Sequence, residues 1–484
     1  MRLPLPRTHR RATGLVTVCT LLLTAACASE PDSPPASDEA ESYHSRPDLN
    51  PPITSIEEYT PHDRIDGSYV FVGPKGDDVP FTGGLILDDA AEPVWVLPTE
   101  KSIFDLRVQE YDGEPVLTYW RGEPAQGHGN GEIVILDDSY QELATVTTGG
   151  EIGEGKVDIH ESTLTDDGTA LLISYVPTQA DLTSFGGEED GWVFDSVIQE
   201  VDVESGEVIF EWHSLDHFDV SSSVAELDSL DQVTGDEENP FSYFHLNSVT
   251  LDDDGDLLLS SRNTSALYKI DRQSGEVIWT LGGADSDFEM GADTEFHWQH
   301  DAERQPDGSI TLFDNQGAPD IGDSARGIQL DVDEEAMTVE LAAEFLPPDG
   351  DRTSGSQGSF QLLPDGTVLI GWGSQAFYSE YAADGTPLSN VSLGPGHSYR
   401  AYREVWSATP TDPPDAVLDG DSVFVSWNGA TEVEQWRLVT DGQERSAQPR
   451  DGFETELPLD GEYGDITVEA LDENGEVIGE TAVD

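Results

Sequence analysis

Three histidines, His160, His245 and His300, each stand ahead of an Asp-Gly turn that opens an apolar strand. The segments read "HESTLTDDGTALLISY", "HLNSVTLDDDGDLLLSSR" and "HDAERQPDGSITLFDN". From histidine to turn glycine is eight residues for His160 to Gly168 and for His300 to Gly308, and ten for His245 to Gly255. A residue type held at one phase of an internal repeat occupies equivalent points of a symmetric architecture. If that architecture closes around an axis, the imidazoles converge. Convergent imidazoles can hold a metal, bind an oxyanion or act as nucleophile. The repeats near residues 105 and 358 carry Asp105 and Gly358 at this phase, so histidine is not needed there for folding. His213, His217, His297 and His397 share no such phase and read as structural or surface residues.

Arg262 ends the strand "LLLSSR" opposite His245, in a chain with 22 Lys and Arg against 98 Asp and Glu. A guanidinium on an inner strand needs an anionic partner or a bidentate ligand. With so many acids, an internal carboxylate is the ordinary partner. Asn247 adds a neutral donor beside it. Histidines and an arginine without clustered carboxylates suit a tetrahedral oxyanion. Zinc is the rival use of three imidazoles, and it requires nitrogens about 2.1 Å from one ion.

Positioning these residues takes a repeated β unit. Almost nothing beyond residue 65 has helical period; short runs of Val, Ile, Leu, Thr and Tyr alternate with polar residues between Gly, Asp and Asn turns. The clearest copy is 245–281, four strands reading "HLNSVTL", "DLLLSSR", "ALYKID" and "VIWTL". Others cover 160–213, 105–147, 300–345 and about 358–393, and a sixth near 68–97 lacks a first strand that "SYRAYREVW" (398–406) supplies. The expected fold class is all-β: a six-bladed β-propeller over 66–408, since repeated four-stranded sheets bury their faces on one another. A pair of sandwiches is the competing layout. After "TPTDPPD" (409–415), residues 416–484 read as a small Ig- or fibronectin-like β-sandwich, by default a packing module.

The formal charge of −76 is spread along the chain, which excludes nucleic acid and anionic membrane as partners. Such a surface suits strong brine, where a Debye length of roughly 3 Å at 1 M screens self-repulsion. Residues 1–26 read as a lipoprotein signal peptide: a basic region ending at Arg10-Arg11, the apolar run "GLVTVCTLLLTAAC", then Cys27 as the lipidated residue. An ordinary secretory signal is the alternative. Either way the product is exported, with only the lipid touching a membrane. Loss of Cys19 leaves one cysteine and no internal disulfide. Residues 27–65, rich in Pro, Ser and acid, read as a disordered tether.

"FHLNSVTLDDDGDLLLSSRNTSALYKIDRQSGEVIWTLGG" and "FHWQHDAERQPDGSITLFDNQ" resemble the arylsulfotransferase family, in the branch common to actinobacteria and fungi. The resemblance covers roughly 66–480 and continues through "YDGEPVLTYWRGEPAQGHGNG", "SQGSFQLLPDGTVLIGWG" and "SWNGATEVEQW". It implies a six-bladed propeller that moves a sulfuryl group from a phenolic ester to another phenol, with neither a nucleotide donor nor a cofactor. It implies that His300, in "WQHD", is the transiently sulfated nucleophile, that His160 and His245 line its pocket, and that Arg262 binds sulfate. Two other functions remain open to the sequence: a non-catalytic extracellular propeller binding a ligand in its funnel, and a sulfate or phosphate ester hydrolase. The joint presence of His160, His245, Arg262 and His300 disfavours the first. A quinone-dependent dehydrogenase leaves the histidine phase without a role.

Overall fold

A computed structural model describes residues 40–483 apart from 63, 77, 78, 80, 228–233, 318–323, 351 and 462. The 1–26 leader and Cys27 lie outside the described residues. The rest is all-β and propeller-like, with short 3-10 turns as its only helical structure among the described residues. Strands form because β-branched and aromatic residues alternate or run continuously where both faces are covered. Leu257–Ser261, "LLLSS", is buried along its whole length, as is Gly83–Leu87. Asp-Gly turns reverse the chain: Gly168, Gly255 and Gly308 have φ of +75°, +87° and +89°, a region glycine enters without Cβ strain.

Six sheets arise between residues 55 and 405. Leu246–Leu251, Leu257–Ser261, Ala266–Ile270 and Val277–Gly282 pair in chain order, all antiparallel. Sheets with the same order start at Ser102–Tyr111, Ser162–Leu164, His300–Arg304 and Ser359–Leu362. In the remaining sheet His397–Val405 pairs antiparallel with Ser68–Lys75, Ser68 opposite Val405, so the late segment supplies the missing first strand. First strands touch in a circuit: His397–Val405 meets Ser102–Tyr111, which meets Ser162–Leu164, then Leu246–Leu251, His300–Arg304 and Ser359–Leu362, which returns to His397–Val405. Apolar clusters fill the spaces between successive sheets, as where Leu258 and Leu267 pack with Leu312 and Ile328.

The circuit's inner strands are bulged. Pairing register shifts between Phe104 and Arg107, between Leu246 and Ser248, and between His300 and Glu303. A bulge bends its strand and re-aims a side chain. Asp105, His245 and Asp301 adopt φ of +52°, +58° and +57° at these places. Left-handed conformations at non-glycine residues cost about 1 kcal/mol or more each and persist where the surroundings over-determine them.

The tether expectation is corrected for residues 40–65. Ser55–Tyr59 pairs with Pro387–Ser392 as a fifth strand, Leu49 is buried in an apolar cluster, and both carboxylate oxygens of Glu454 accept backbone N–H bonds from His44 and Ser45. Composition suggested disorder because Pro, Ser and acidic residues dominate here; Tyr43, Leu49 and Ile56 nonetheless pack on a surface made by distant sequence. Residues 415–482 form two further sheets, of three and four strands, over one core containing Trp427, Trp436 and Leu457. Asn428 docks them by exchanging hydrogen bonds with both backbone groups of Val96, at 2.8 and 2.9 Å.

Candidate active site

His160, His245 and His300 enter one cavity of about 570 Å³ from three successive sheets. The His160 and His245 ring centroids are 4.9 Å apart, and those of His160 and His300 are 6.4 Å apart. All three are buried. Convergence of the phased histidines is therefore a fact of the fold.

Each ring is oriented by its Nδ1. Asp158 accepts from His160 Nδ1, while its other oxygen takes the Gly129 N–H at 2.7 Å. His245 Nδ1 lies 3.0 Å from Ser242 Oγ. His300 Nδ1 lies 2.7 Å from Asn315 Oδ1, and the Asn315 amide donates to the Ser354 and Gln357 carbonyls at 2.8 and 2.9 Å. Those two bonds turn Oδ1 toward His300, where an oxygen can only accept. Nδ1 of His300 therefore carries the proton and Nε2 the lone pair. The Gln357 backbone N–H reaches that Nε2 at 3.2 Å.

Burial, followed by the nearby Arg262 charge and His160, holds His300 well below the ordinary histidine range. Burial does the same for His245, reinforced by His128, His160 and Arg262. Both rings are uncharged near neutral pH, as a nucleophilic imidazole must be.

Arg262 lines the same cavity. Its guanidinium lies 3.6 Å over the Trp298 ring and donates to Asn263 Oδ1 and the Gly355 carbonyl at 2.8 and 3.3 Å. It makes no ion pair with any described carboxylate, so the ordinary expectation of an internal acid partner fails. Burial lowers its pKa to about 9. Asn247 needs correction as a substrate donor. It is absent from the cavity wall, and its amide is spent on the Gln299 carbonyl at 2.7 Å. The inner-strand bulge turns this side chain between sheets rather than toward the centre.

A fourth imidazole, His128, was missed by the repeat phase because it enters from the third strand of its sheet, His128–Leu136. Its ring centroid lies 4.7 Å from that of His245, and its Nδ1 is buried without a partner among the described residues. Burial lowers its pKa to about 4. The signal was the "HGNG" motif. A Cβ on Gly129 would meet Ile159 Cγ2 at 2.3 Å, so glycine there lets the strand close on the site.

His128, His160 and His245 present ring nitrogens within 4.8 Å of one another. Arg262 places an uncompensated cation alongside them, which opposes a second cation at this point. An anion satisfies both features at once. Phe104, Ile159, Phe194 and Tyr399 supply apolar and aromatic walls, which fits a ligand joining a planar ring to an anionic head.

Beyond the histidines lies a buried ionic cluster. Glu161 and Asp301, each next in sequence to a site histidine, converge on Arg400 Nη1 at 2.7 and 3.2 Å, and Asp105 joins at 3.2 Å. Asp105, at the histidine phase but not histidine, thus anchors the circuit's centre. Of the off-phase histidines, His213 pairs with Asp195 at 2.7 Å and His217 stacks on Trp212, both away from the cavity. No described helix is long and apolar enough to cross a membrane.

Among solved structures, the chain resembles a protein of unknown function from Bacteroides caccae, at 14% identity over 70% of this chain and 99% of that one, with a TM-score of 0.43. It also resembles a catalytically inactive virginiamycin B lyase from Staphylococcus aureus, at 11% identity over 77% and 92%, with a TM-score of 0.30. Likenesses this distant decide nothing about activity. No curated protein matches the chain. The family description Arylsulfotransferase (ASST) matches residues 107–392, a span holding all four cavity histidines and Arg262. That span exceeds half of the sequence, and the protein belongs to the arylsulfotransferase family.

Proposed function

We propose that this protein is an aryl sulfate sulfotransferase working through a sulfohistidine, with His300 as nucleophile. Family membership supports aryl sulfotransferase activity at the level of class. The observation that carries the mechanism is the pairing of an uncharged His300, its Nε2 lone pair turned toward Gln357, with a buried Arg262 that has no described counter-ion.

Nε2 of His300 attacks the sulfur of a phenolic sulfate, the S–O bond to the aryl oxygen breaks, and the phenol leaves. A second phenol then takes the sulfuryl group, which gives ping-pong kinetics. Negative charge spreads over the sulfuryl oxygens in the transition state. Arg262 meets that charge, with His245 and His128 as neutral N–H donors, and His160 joins them when its Nε2 also carries a proton. When Nε2 engages sulfur it releases the Gln357 N–H, which is then free to donate to a sulfuryl oxygen. Asp158 keeps Nε2 of His160 facing inward, as a carboxylate partner fixes a histidine tautomer.

The six sheets are read here as six propeller blades spanning 66–408, and 416–484 as an Ig- or fibronectin-like sandwich. The leader and Cys27 support an exported, lipid-anchored enzyme, and the charge of −76 supports work in brine. Incubation with 4-nitrophenyl sulfate, with and without phenol, tests the function. Phenol-dependent release of 4-nitrophenol, lost in His300→Asn, is the expected result. Release without phenol indicates a hydrolase, and no release by the wild type overturns the proposal.

A further inference from the structure

The transfer reaction needs a proton carrier, because the donor leaves as a phenol and the acceptor arrives as one. Arg262, engaged with the sulfuryl oxygens, and the Nδ1-protonated His300, whose Nε2 forms the new bond, already have other tasks in the step. Lys75 lines the cavity at the end of Ser68–Lys75, with its ammonium 4.6 Å from the centre of the Phe104 ring. Nζ lies 2.7 Å from Gln357 Oε1 and 3.2 Å from His397 Nε2. Gln357 therefore touches both groups, holding Lys75 through its side chain and His300 Nε2 through its backbone N–H. Gln357 itself is held at φ +68°, which sends its two ends toward different neighbours. No described carboxylate pairs with Lys75.

We propose that Lys75 is the proton carrier of both half-reactions and stands where the aryl oxygen departs and arrives. This rests on the transfer reading above. In the first half-reaction His300 Nε2 bonds to sulfur, and the S–O bond breaks with its electron pair going to the aryl oxygen. That oxygen takes a proton from the Lys75 ammonium, so phenol leaves and a neutral amine remains. In the second half-reaction the acceptor's oxygen bonds to sulfur as the N–S bond breaks. The phenolic proton passes to the Lys75 amine, restoring the ammonium. The cycle consumes no proton overall.

The surroundings suit the task. Burial lowers Lys75 to about 8, between the ordinary lysine and the neutral pH at which a proton must go both ways. The titratable group touching it, His397, is held at about 4 by burial and by Lys75 itself, so it stays neutral and leaves the lysine's charge unpaired. Arg262 and His300 line the same cavity. Phe104 offers the ring face against which an aryl group lies with its oxygen near Nζ.

The test is the dependence of turnover on the leaving phenol. Wild type and Lys75→Met are compared with 4-nitrophenyl sulfate, whose phenolate needs little protonation, and with phenyl sulfate, whose phenolate needs it. The expected loss in Lys75→Met is on the order of 10²-fold for phenyl sulfate and at least tenfold smaller for 4-nitrophenyl sulfate. Lys75→Arg, which keeps charge without releasing a proton, follows Lys75→Met. Equal losses with both donors, or full activity in Lys75→Arg, overturn the proposal. No sulfuryl transfer by the wild type overturns the transfer reading as well.

Discussion

The guanidinium of Arg262 lies 3.6 Å over the ring of Trp298, and no described carboxylate pairs with it. A buried cation in this state destabilises the resting protein and favours an anion when one arrives. Arg262→Met should therefore cut turnover by about 10²–10³ while raising stability by roughly 1–4 kcal/mol. Urea unfolding beside the aryl sulfate assay measures both. A variant that is inactive and less stable would show that Arg262 holds the fold rather than the substrate.

His300→Asn should reduce turnover by 10³-fold or more, since a nucleophile's loss is not shared among its neighbours. Intact-mass measurement after mixing wild type with 4-nitrophenyl sulfate, without acceptor, should show one added sulfuryl group, absent in the variant. Labelling that persists in His300→Asn would move the nucleophile elsewhere.

Asp158→Asn replaces the acceptor of the His160 Nδ1 proton with an amide that can present a donor. The ring then turns or changes tautomer, and kcat should fall about 10- to 100-fold with the cavity intact. An unchanged kcat would remove His160 orientation from the mechanism.

Acid should unfold this protein partly through its cavity. His128 has a folded pKa of about 4 against an ordinary 6.5, because burial disfavours its charged form. The unfolded chain binds the extra proton between those values, so stability is full above pH 6.5 and falls as pH drops toward 4. For His128 alone the span amounts to about 3 kcal/mol, and His245 and His300 act in the same direction. His128→Phe should flatten unfolding free energy between pH 6.5 and 5 relative to wild type. An unaltered slope would show that His128 protonates freely in the fold.

Arg400→Met leaves Asp105, Glu161 and Asp301 buried with Arg107 as their remaining cation. Breaking such a cluster from one side should cost about 3–5 kcal/mol, read as a lower urea midpoint. A midpoint within experimental error of wild type would mean that the acids neutralise themselves by protonation.

The strand pattern, the repeat and the phase of His160, His245 and His300 were legible in the sequence, because alternation and turn glycines are local properties. The same local signal placed 398–406 beside 68–75, through the strand missing from one repeat. What the pattern could not carry was direction and contact. His128 joins the site from a third strand, Lys75 from a strand's end, and Gln357 from a position holding no histidine. Each depends on which sheets lie side by side. Asn247 shares a strand with the residue after His245, yet a bulge turns it away. Residues 40–65 look disordered alone because the surfaces that cover Leu49 and Tyr43 lie hundreds of residues distant. The sequence by itself determined the all-β repeat and three converging imidazoles, since those follow from period and turn chemistry. Only the tertiary structure decided that Arg262 has no described counter-ion and that His300 keeps Nε2 unprotonated, since both are set by burial and by partners remote in the chain.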